Sequence, residues 1–418
     1  MRADSIGLWI WHVARRLARN HQVTVCSRGR TSGQRLETEC EGVAFILLPE
    51  DIDRRSLSWS RRRRRLGRLL GRRSRPESPY YLDGGFYCNY IDQSAQEIAR
   101  HDVDIISLQN FSNQVPLFRR RNPGAGIQLH MHCNWLAQLS YEKLSYSLDR
   151  VDYVSGCSEF IVNSAVERFP AMASKSFVVS NGYDDSLFNP NPGQAGRGDP
   201  EILFVGRLSP EKGIHVLLEA FNQVVEHVPD ARLKLIGHCH SAPREFMVDV
   251  DRDPLVRDLA RFYHRSDPGY YESFLKSIPS AAAGSRIQWI ADTPQSELPR
   301  AYREAAVFVF PSVVNEAFGM PLVEAMACAR PVVSTFSGGV PEFVENGKHG
   351  ILVNKGQVNE LAQALVDLLL DDVKRREMGQ AGHLSVRQRF SWESMADDLE
   401  NALNLQNGHV PVSTRLNK

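Results

Sequence analysis

The chain is expected to be an α/β protein made of two doubly wound domains, each a parallel sheet with helices on both faces. Three observations predict this. Strand-like and helical runs alternate along most of the sequence, the pattern left by β-α-β units. The length, 418 residues, exceeds the ~100–200 residues of a typical domain. The stretch Asn189-Pro-Asn-Pro-Gly-Gln-Ala-Gly-Arg-Gly-Asp-Pro200 interrupts the alternation near the middle, where a linker belongs.

The elements follow in order. Ile6–Ala18 places Leu8, Trp9, Val13 and Leu17 at helical spacing. Strands are expected at Gln22–Cys26, Val43–Leu48, Val103–Leu108, Gly126–His130, Tyr153–Ser155 and Phe177–Val179, with helices at Asp92–Arg100 and Glu159–Arg168. Beyond the linker come strand Glu201–Val205, helix Ile214–His227, strands Arg232–Ile236 and Arg286–Ile290, and helix Ser296–Glu304. Strand Ala306–Phe310, helix Pro321–Ala327 and strand Pro331–Ser334 complete the second set. Phe390–Leu403 reads as an amphipathic helix with Ser391 at its N-cap. The expected divisions are residues 1–185, a linker at 186–200, a second domain at 201–388, a returning helix at 389–407 and a disordered tail at 408–418. Two features break the pattern. No strand precedes the first helix, so the first strand of the first domain is expected to be missing. Ser241–Asp267 is polar without a clear period and is expected to be a surface excursion.

Composition narrows the class. The hydrophobic fraction is 42% and the charged fraction 24%, ordinary values for a globular protein and enough for large cores. Lys and Arg number 50 against 49 Asp and Glu. That balance disfavours a globally basic nucleic-acid binder. Seven cysteines are scattered without a C-x-x-C pair, which argues for reduced thiols in a cytoplasmic protein and against zinc-ribbon or iron–sulfur sites. No apolar run approaches the ~20 residues of a membrane helix, and no signal peptide is evident.

Two stretches carry the chemistry. In Val309-Phe-Pro-Ser-Val-Val-Asn-Glu-Ala-Phe-Gly-Met-Pro-Leu-Val-Glu-Ala-Met-Ala327 a buried strand ends at Phe310, a polar loop follows, and a helix begins near Pro321. Proline suits a first helical turn. The free N–H groups beside Gly319 make an anion site. Glu316 in the loop and Glu324 early in the helix are both placed to face a ligand. In Phe204-Val-Gly-Arg-Leu-Ser-Pro-Glu-Lys-Gly213 another strand runs into a glycine-bearing loop that carries Arg207 and Lys212. Two cations there suit a diphosphate, Arg as a planar fork and Lys as a point charge.

These motifs resemble glycosyltransferase family 4, whose members have the GT-B fold. The resemblance rests on Gly206–Gly213, on the Glu316/Glu324 pair, on Ser337-Gly-Gly-Val-Pro-Glu-Phe-Val-Glu-Asn-Gly347 with Gly350–Val353, and on Val179–Pro190. It is strongest from about Val151 to Trp392. It implies two Rossmann-like domains facing a cleft, and a retaining, metal-independent transfer from a nucleotide-diphosphate sugar to a glycan, lipid-linked or small-molecule acceptor, with no cofactor. By resemblance, Glu316 contacts the donor sugar and Arg207 and Lys212 stabilise the leaving diphosphate. Glu324 takes the ribose hydroxyls, and Gly206 and the backbone at Phe318, Gly319, Met320, Pro321 and Leu322 hold phosphates and sugar. A histidine near the donor sugar is expected to be His132, with His130 second. Gly7, in the loop Asp4-Ser-Ile-Gly7, stands where the family has a glycine pair facing the diphosphate. Ala329 and Ala291 stand where the family often has glycine.

Other readings remain in view. A non-catalytic scaffold or coat protein, or a nucleotide-sugar epimerase, shares this fold. Asp102-Val-Asp104 and Asp249-Val-Asp251 imitate a metal motif but are read as incidental, and no metal site is expected. The run Arg61–Arg75, preceded by Trp59, is a candidate for peripheral contact with anionic lipid, against the plainer reading of a solvated loop.

Overall fold

Strands buried on both faces dominate the second half of the chain, and they organise everything that bears on the site. The computed structural model describes residues 5–29, 34–49, 51–54, 57–58, 76–83, 85–191, 199–264, 267, 269–291 and 293–403. Asp4, Arg61–Arg75, residues 192–198 of the linker and the tail lie outside them. Contacts divide the chain into two units. The second is Asn181–Ser391, and the first takes the residues up to Ser180 together with the chain from Trp392 onward.

The first unit opens with helix α1 (Ser5–Leu17), which buries Trp9, His12, Val13 and Ala14. Gly7 therefore lies inside the first helical turn and not in a loop. The apolar spacing that begins at Leu8 carries the helix back through it, because one glycine costs only about 1 kcal/mol in a helix. Strands β1 (Val23–Gly29), β2 (Leu36–Cys40) and β3 (Val43–Pro49) form one sheet in the order β1-β3-β2. After helix α2 (Cys88–Ile98) comes a separate parallel sheet, β4-β5-β6-β7. Its strands are Ile105–Gln109, Gly126–Met131, Tyr153–Gly156 and Ser176–Val178. Between them run α3 (Val115–Arg121), α4 (Trp135–Gln138), α5 (Tyr141–Leu148) and α6 (Glu159–Arg168).

The second unit holds one six-stranded sheet, all parallel, in the order β10-β9-β8-β11-β12-β13. Its strands in chain order are β8 (Glu201–Val205), β9 (Arg232–Ile236), β10 (Ile287–Ile290), β11 (Val307–Phe310), β12 (Val332–Thr335) and β13 (Gly350–Val353). The order turns at β8 and β11, the adjacent strands whose following connections lead to opposite sides of the sheet. In such sheets ligands bind outside the carboxyl ends of the strands at that point. Helices α7 (Ile214–His227), α8 (Arg244–Met247), α9 (Pro254–Asp258), α10 (Tyr270–Ser277), α11 (Ala281–Gly284), α12 (Leu298–Glu304) and α13 (Met320–Ala327) lie between strands. Helices α14 (Val358–Leu370) and α15 (Asp372–Arg387) follow β13, and α16 (Trp392–Ala402) returns to the first unit.

The segment Ser241–Asp267 is not a surface excursion. Val248, Val250, Val256, Leu259 and Phe262 are buried. Its helices are too short to show a helical period in sequence, which is why its core contacts escape notice there.

Candidate active site

Two strand-to-helix connections, at the ends of the neighbouring strands β8 and β11, build the site. After β8 the chain turns through a 3-10 turn at Pro210–Lys212, and Gly213 then opens α7 with φ +70. A Cβ on Gly213 would stand 2.0 Å from the Pro311 carbonyl oxygen, so the two connections touch only because residue 213 is glycine. After β11 the loop from Pro311 reaches α13, which starts behind Gly319 at φ +101 with Pro321 in its first turn. Loop and 3-10 turn are stitched together. The Val313 N–H donates to the Glu211 carbonyl at 2.9 Å, and the Ser312 hydroxyl lies within reach of the same oxygen at 3.1 Å. A third loop closes against Glu316, whose carbonyl accepts the Gly339 N–H at 2.9 Å.

This stitching brings Lys212 and Glu316 together. Lys212 Nζ donates to Glu316 Oε1 at 2.6 Å, with both side chains largely buried. The Ser312 hydroxyl also lies within reach of the same carboxylate oxygen, so its single proton serves either this carboxylate or the Glu211 carbonyl. Lys212 also stands 5.0 Å above the Phe310 ring. Arg207, more exposed, places Nη2 3.1 Å from Glu211 Oε1. The sequence suggests two cations free to meet a diphosphate. In the structure each already has a carboxylate partner. Glu211 is the residue that motif reading passes over, although it sits between the two cations.

The backbone donors are fewer than the sequence implies. Pro321 has no N–H, and that of Leu322 is taken by the Gly319 carbonyl at 2.9 Å. Among the five residues, Phe318, Gly319 and Met320 keep N–H groups for a ligand. The Phe318 side chain belongs to the core, its ring 5.2 Å from Phe343 and 5.3 Å from Phe390. Gly206, with φ +149, closes the end of β8, its N–H bonded to the Ile236 carbonyl at 2.9 Å.

Glu324 sits on α13 and accepts the Tyr302 hydroxyl at 2.8 Å. Burial pushes its carboxyl up to about 7, against the lowering effect of that hydrogen bond. It is therefore divided between acid and carboxylate at neutral pH.

The first unit holds the two histidines. They lie on one side of the chain, rings 4.5 Å apart. His130 has no exposed surface, stacks on Trp9 at 4.3 Å, and pairs Nδ1 with the Ser155 hydroxyl at 2.8 Å. Packed in this way it is fully enclosed, and its Nε2 has no hydrogen-bond partner among the described residues. His132 follows β5 and pairs Nε2 with Gln109 Oε1 at 2.9 Å. Its N–H donates to Asn110 Oδ1 at 2.6 Å, and Asn110 holds a left-handed φ of 61. Burial drives His132 down to about 3 and His130 well below the usual imidazole range, so both rings are neutral. Among the described residues no group of three or more His, Cys, Asp or Glu is arranged to hold a metal ion, and no helix is long and apolar enough to cross a membrane.

Residues 6–187 match the family described as Glycosyltransferase Family 4, and residues 187–385 match the one described as Glycosyl transferases group 1. Together they span the chain from the first helix into α15. The chain belongs to this glycosyltransferase family, has its GT-B fold and is a transferase. Spore coat protein SA of Bacillus subtilis (strain 168) is 26% identical over 342 residues, 76% of this chain and 84% of its own. The lipopolysaccharide 1,2-N-acetylglucosaminetransferase of Salmonella typhimurium (strain LT2) is 24% identical over 408 residues, 95% of this chain and 93% of its own. Among solved structures, sucrose-phosphate synthase from Thermosynechococcus elongatus superposes with a TM-score of 0.72 at 19% identity, covering 97% of this chain and 94% of that one. HepE of Anabaena in complex with UDP-glucose gives 0.59 at 20% identity, covering 76% and 82%.

Proposed function

We propose that the enzyme moves a sugar from a nucleoside-diphosphate sugar to a carbohydrate or lipid-linked acceptor, with retention of configuration and without a metal ion. The observation that carries this reading is the Lys212–Glu316 pair, set beside Arg207 and the N–H groups of Phe318, Gly319 and Met320. Breaking a sugar–phosphate bond puts charge on the leaving diphosphate. Fixed cations and N–H dipoles offset that charge as it grows, which is where electrostatic catalysis gains most. Lys212 has three donors, so it can keep Glu316 and still reach a phosphate oxygen. Glu316, held by Lys212 and Ser312, is poorly suited to attack an anomeric carbon. It is better suited to accept hydrogen bonds from sugar hydroxyls. Retention then proceeds on the front face, with a phosphate oxygen assisting the acceptor. Glu324, as carboxylate, accepts the ribose hydroxyls. For His132 the reading keeps a neutral imidazole that bonds a sugar hydroxyl. The solved complex of HepE with UDP-glucose supports a nucleotide-sugar donor, and the lipopolysaccharide transferase supports a glycan acceptor.

The spore coat relative gives the scaffold reading its one support. A thermal-shift screen of nucleotide sugars separates the two, because a ligand that binds only the native state raises its melting temperature. One nucleotide sugar is expected to raise it in EDTA as in magnesium. Lys212→Ala and Glu316→Gln are expected to keep the fold and lose transfer by about a hundredfold or more. No shift with any nucleotide sugar, or wild-type transfer by both variants, defeats the reading.

A further inference from the structure

Glu211 is left unused by the reading above. Its side chain has no exposed surface, yet it carries a carboxylate. Burying an acid is costly unless partners offset the charge, and a glutamine would fill the same space more cheaply. Its partners point to its task. Oε1 stands 3.1 Å from Arg207 Nη2, and the Tyr263 hydroxyl approaches Oε2 at 3.4 Å. Its carbonyl is fixed by Val313 and Ser312, so the carboxylate hangs from a rigid point. Tyr263 lies near the end of the segment that begins at Ser241. The same segment makes a second attachment: Asp253 Oδ2 accepts Lys355 Nζ at 2.8 Å, and Lys355 bonds Asn315 Oδ1 at 3.2 Å, next to Glu316. The segment is thus tied to both loops of the site.

We propose that Glu211 is a positioning residue for the donor diphosphate, holding the Arg207 fork at the loop, and that the segment from Ser241 to Tyr263 tunes donor affinity through it without touching the donor. The inference rests on the donor reading above. A long exposed arginine loses rotamer freedom when it grips a phosphate, and a buried carboxylate that fixes it beforehand removes part of that cost. A rival effect has the opposite sign. If Glu211 were only a negative charge near the phosphates, its removal would tighten binding.

The test measures calorimetric affinity of the full chain for UDP, GDP and ADP, taking whichever binds wild type best, with its parent nucleoside as control. Glu211→Gln is expected to weaken the diphosphate about tenfold, to leave the nucleoside unchanged and to melt no lower than wild type. Tyr263→Phe, which keeps the ring and the buried charge, is expected to weaken the diphosphate about threefold. In an Arg207→Ala background neither change is expected to weaken it further. Tighter or unchanged diphosphate binding by Glu211→Gln, equal loss for the nucleoside, or additivity with Arg207→Ala overturns the proposal. If Glu211→Gln fails to fold, Tyr263→Phe decides alone. If Arg207→Ala leaves diphosphate affinity intact, the donor reading itself falls. If Arg207→Ala weakens it and Glu211→Gln does not, only the role of Glu211 falls.

Discussion

Glu324 shows how one buried side chain ties stability to pH. Its carboxyl is raised from the ordinary 4.5 to about 7, chiefly by burial. The folded state therefore holds a proton that the unfolded state has released. Stability falls as pH rises from about 4.5 to about 7 and then levels off. The loss amounts to about 3 kcal/mol, since each tenfold change in proton affinity is worth ~1.4 kcal/mol. Glu324→Gln removes it. The variant is expected to match wild type near pH 4.5 and to melt several degrees higher at pH 8, and parallel melting curves across that range would refute the raised carboxyl. The identity of Glu324 as a candidate was legible in the Glu316/Glu324 spacing. Its buried state was not, because Tyr302 lies 22 residues away in sequence and only the fold brings its hydroxyl to the carboxylate. The same holds for Lys212 and Glu316, which are 104 residues apart and meet only because the glycine at 213 lets two loops touch.

At the scale of elements, α13 ends under strain. Ala329 stands just after the helix at φ +55, a left-handed conformation that costs an L-residue about 1–2 kcal/mol and glycine nothing. The greater freedom of glycine in the unfolded chain returns part of that. Ala329→Gly is expected to stabilise the second unit by about 0.5–1 kcal/mol, raising its melting temperature by roughly 2 °C. A lower melting temperature would show that the alanine methyl packs to advantage. Legibility of elements followed burial. Strands β8 and β9 and helices α6 and α7 lie where the sequence placed them, because a run buried on both faces, or a clean helical stripe, leaves a strong pattern. Strand β2, Leu36-Glu-Thr-Glu-Cys40, is exposed throughout and carries no such pattern; it is held by pairing with β3 alone. The segment from Ser241 failed for another reason. Of its buried residues only Val256 lies in an α-helix, one of five residues; Val248 and Val250 lie between helices, and Leu259 and Phe262 in a 3-10 turn.

For the whole molecule the consequential fact is that α16, far along the chain, belongs to the same unit as α1. The amphipathic period over Phe390–Leu403 shows that a face is buried, and the structure shows against what. Trp392, Met395 and Leu399 of α16 are buried, and the Trp392 ring stacks on His12 of α1 at 4.8 Å. Arg16 Nε donates to Glu393 at 3.0 Å, and His21 pairs with Glu400 at 2.7 Å. The apolar side chains carry the energy, because each fully buried one contributes about 1.5–3 kcal/mol while ion pairs at the surface contribute under about 1. Three such residues amount to a large share of the roughly 5–15 kcal/mol by which a unit of this size is stable. Ending the chain at Ser391 therefore removes support from the first unit, although the deletion abuts the second unit in sequence. Calorimetry of the shortened protein is expected to show the first unit melting well below its normal temperature, with the melting of the second unit kept. Binding of a nucleoside diphosphate, carried by Arg207, Lys212 and the start of α13, is expected to survive. A single transition shifted as a whole, or loss of nucleotide binding with the second unit still folded, would mean that α16 serves the second unit.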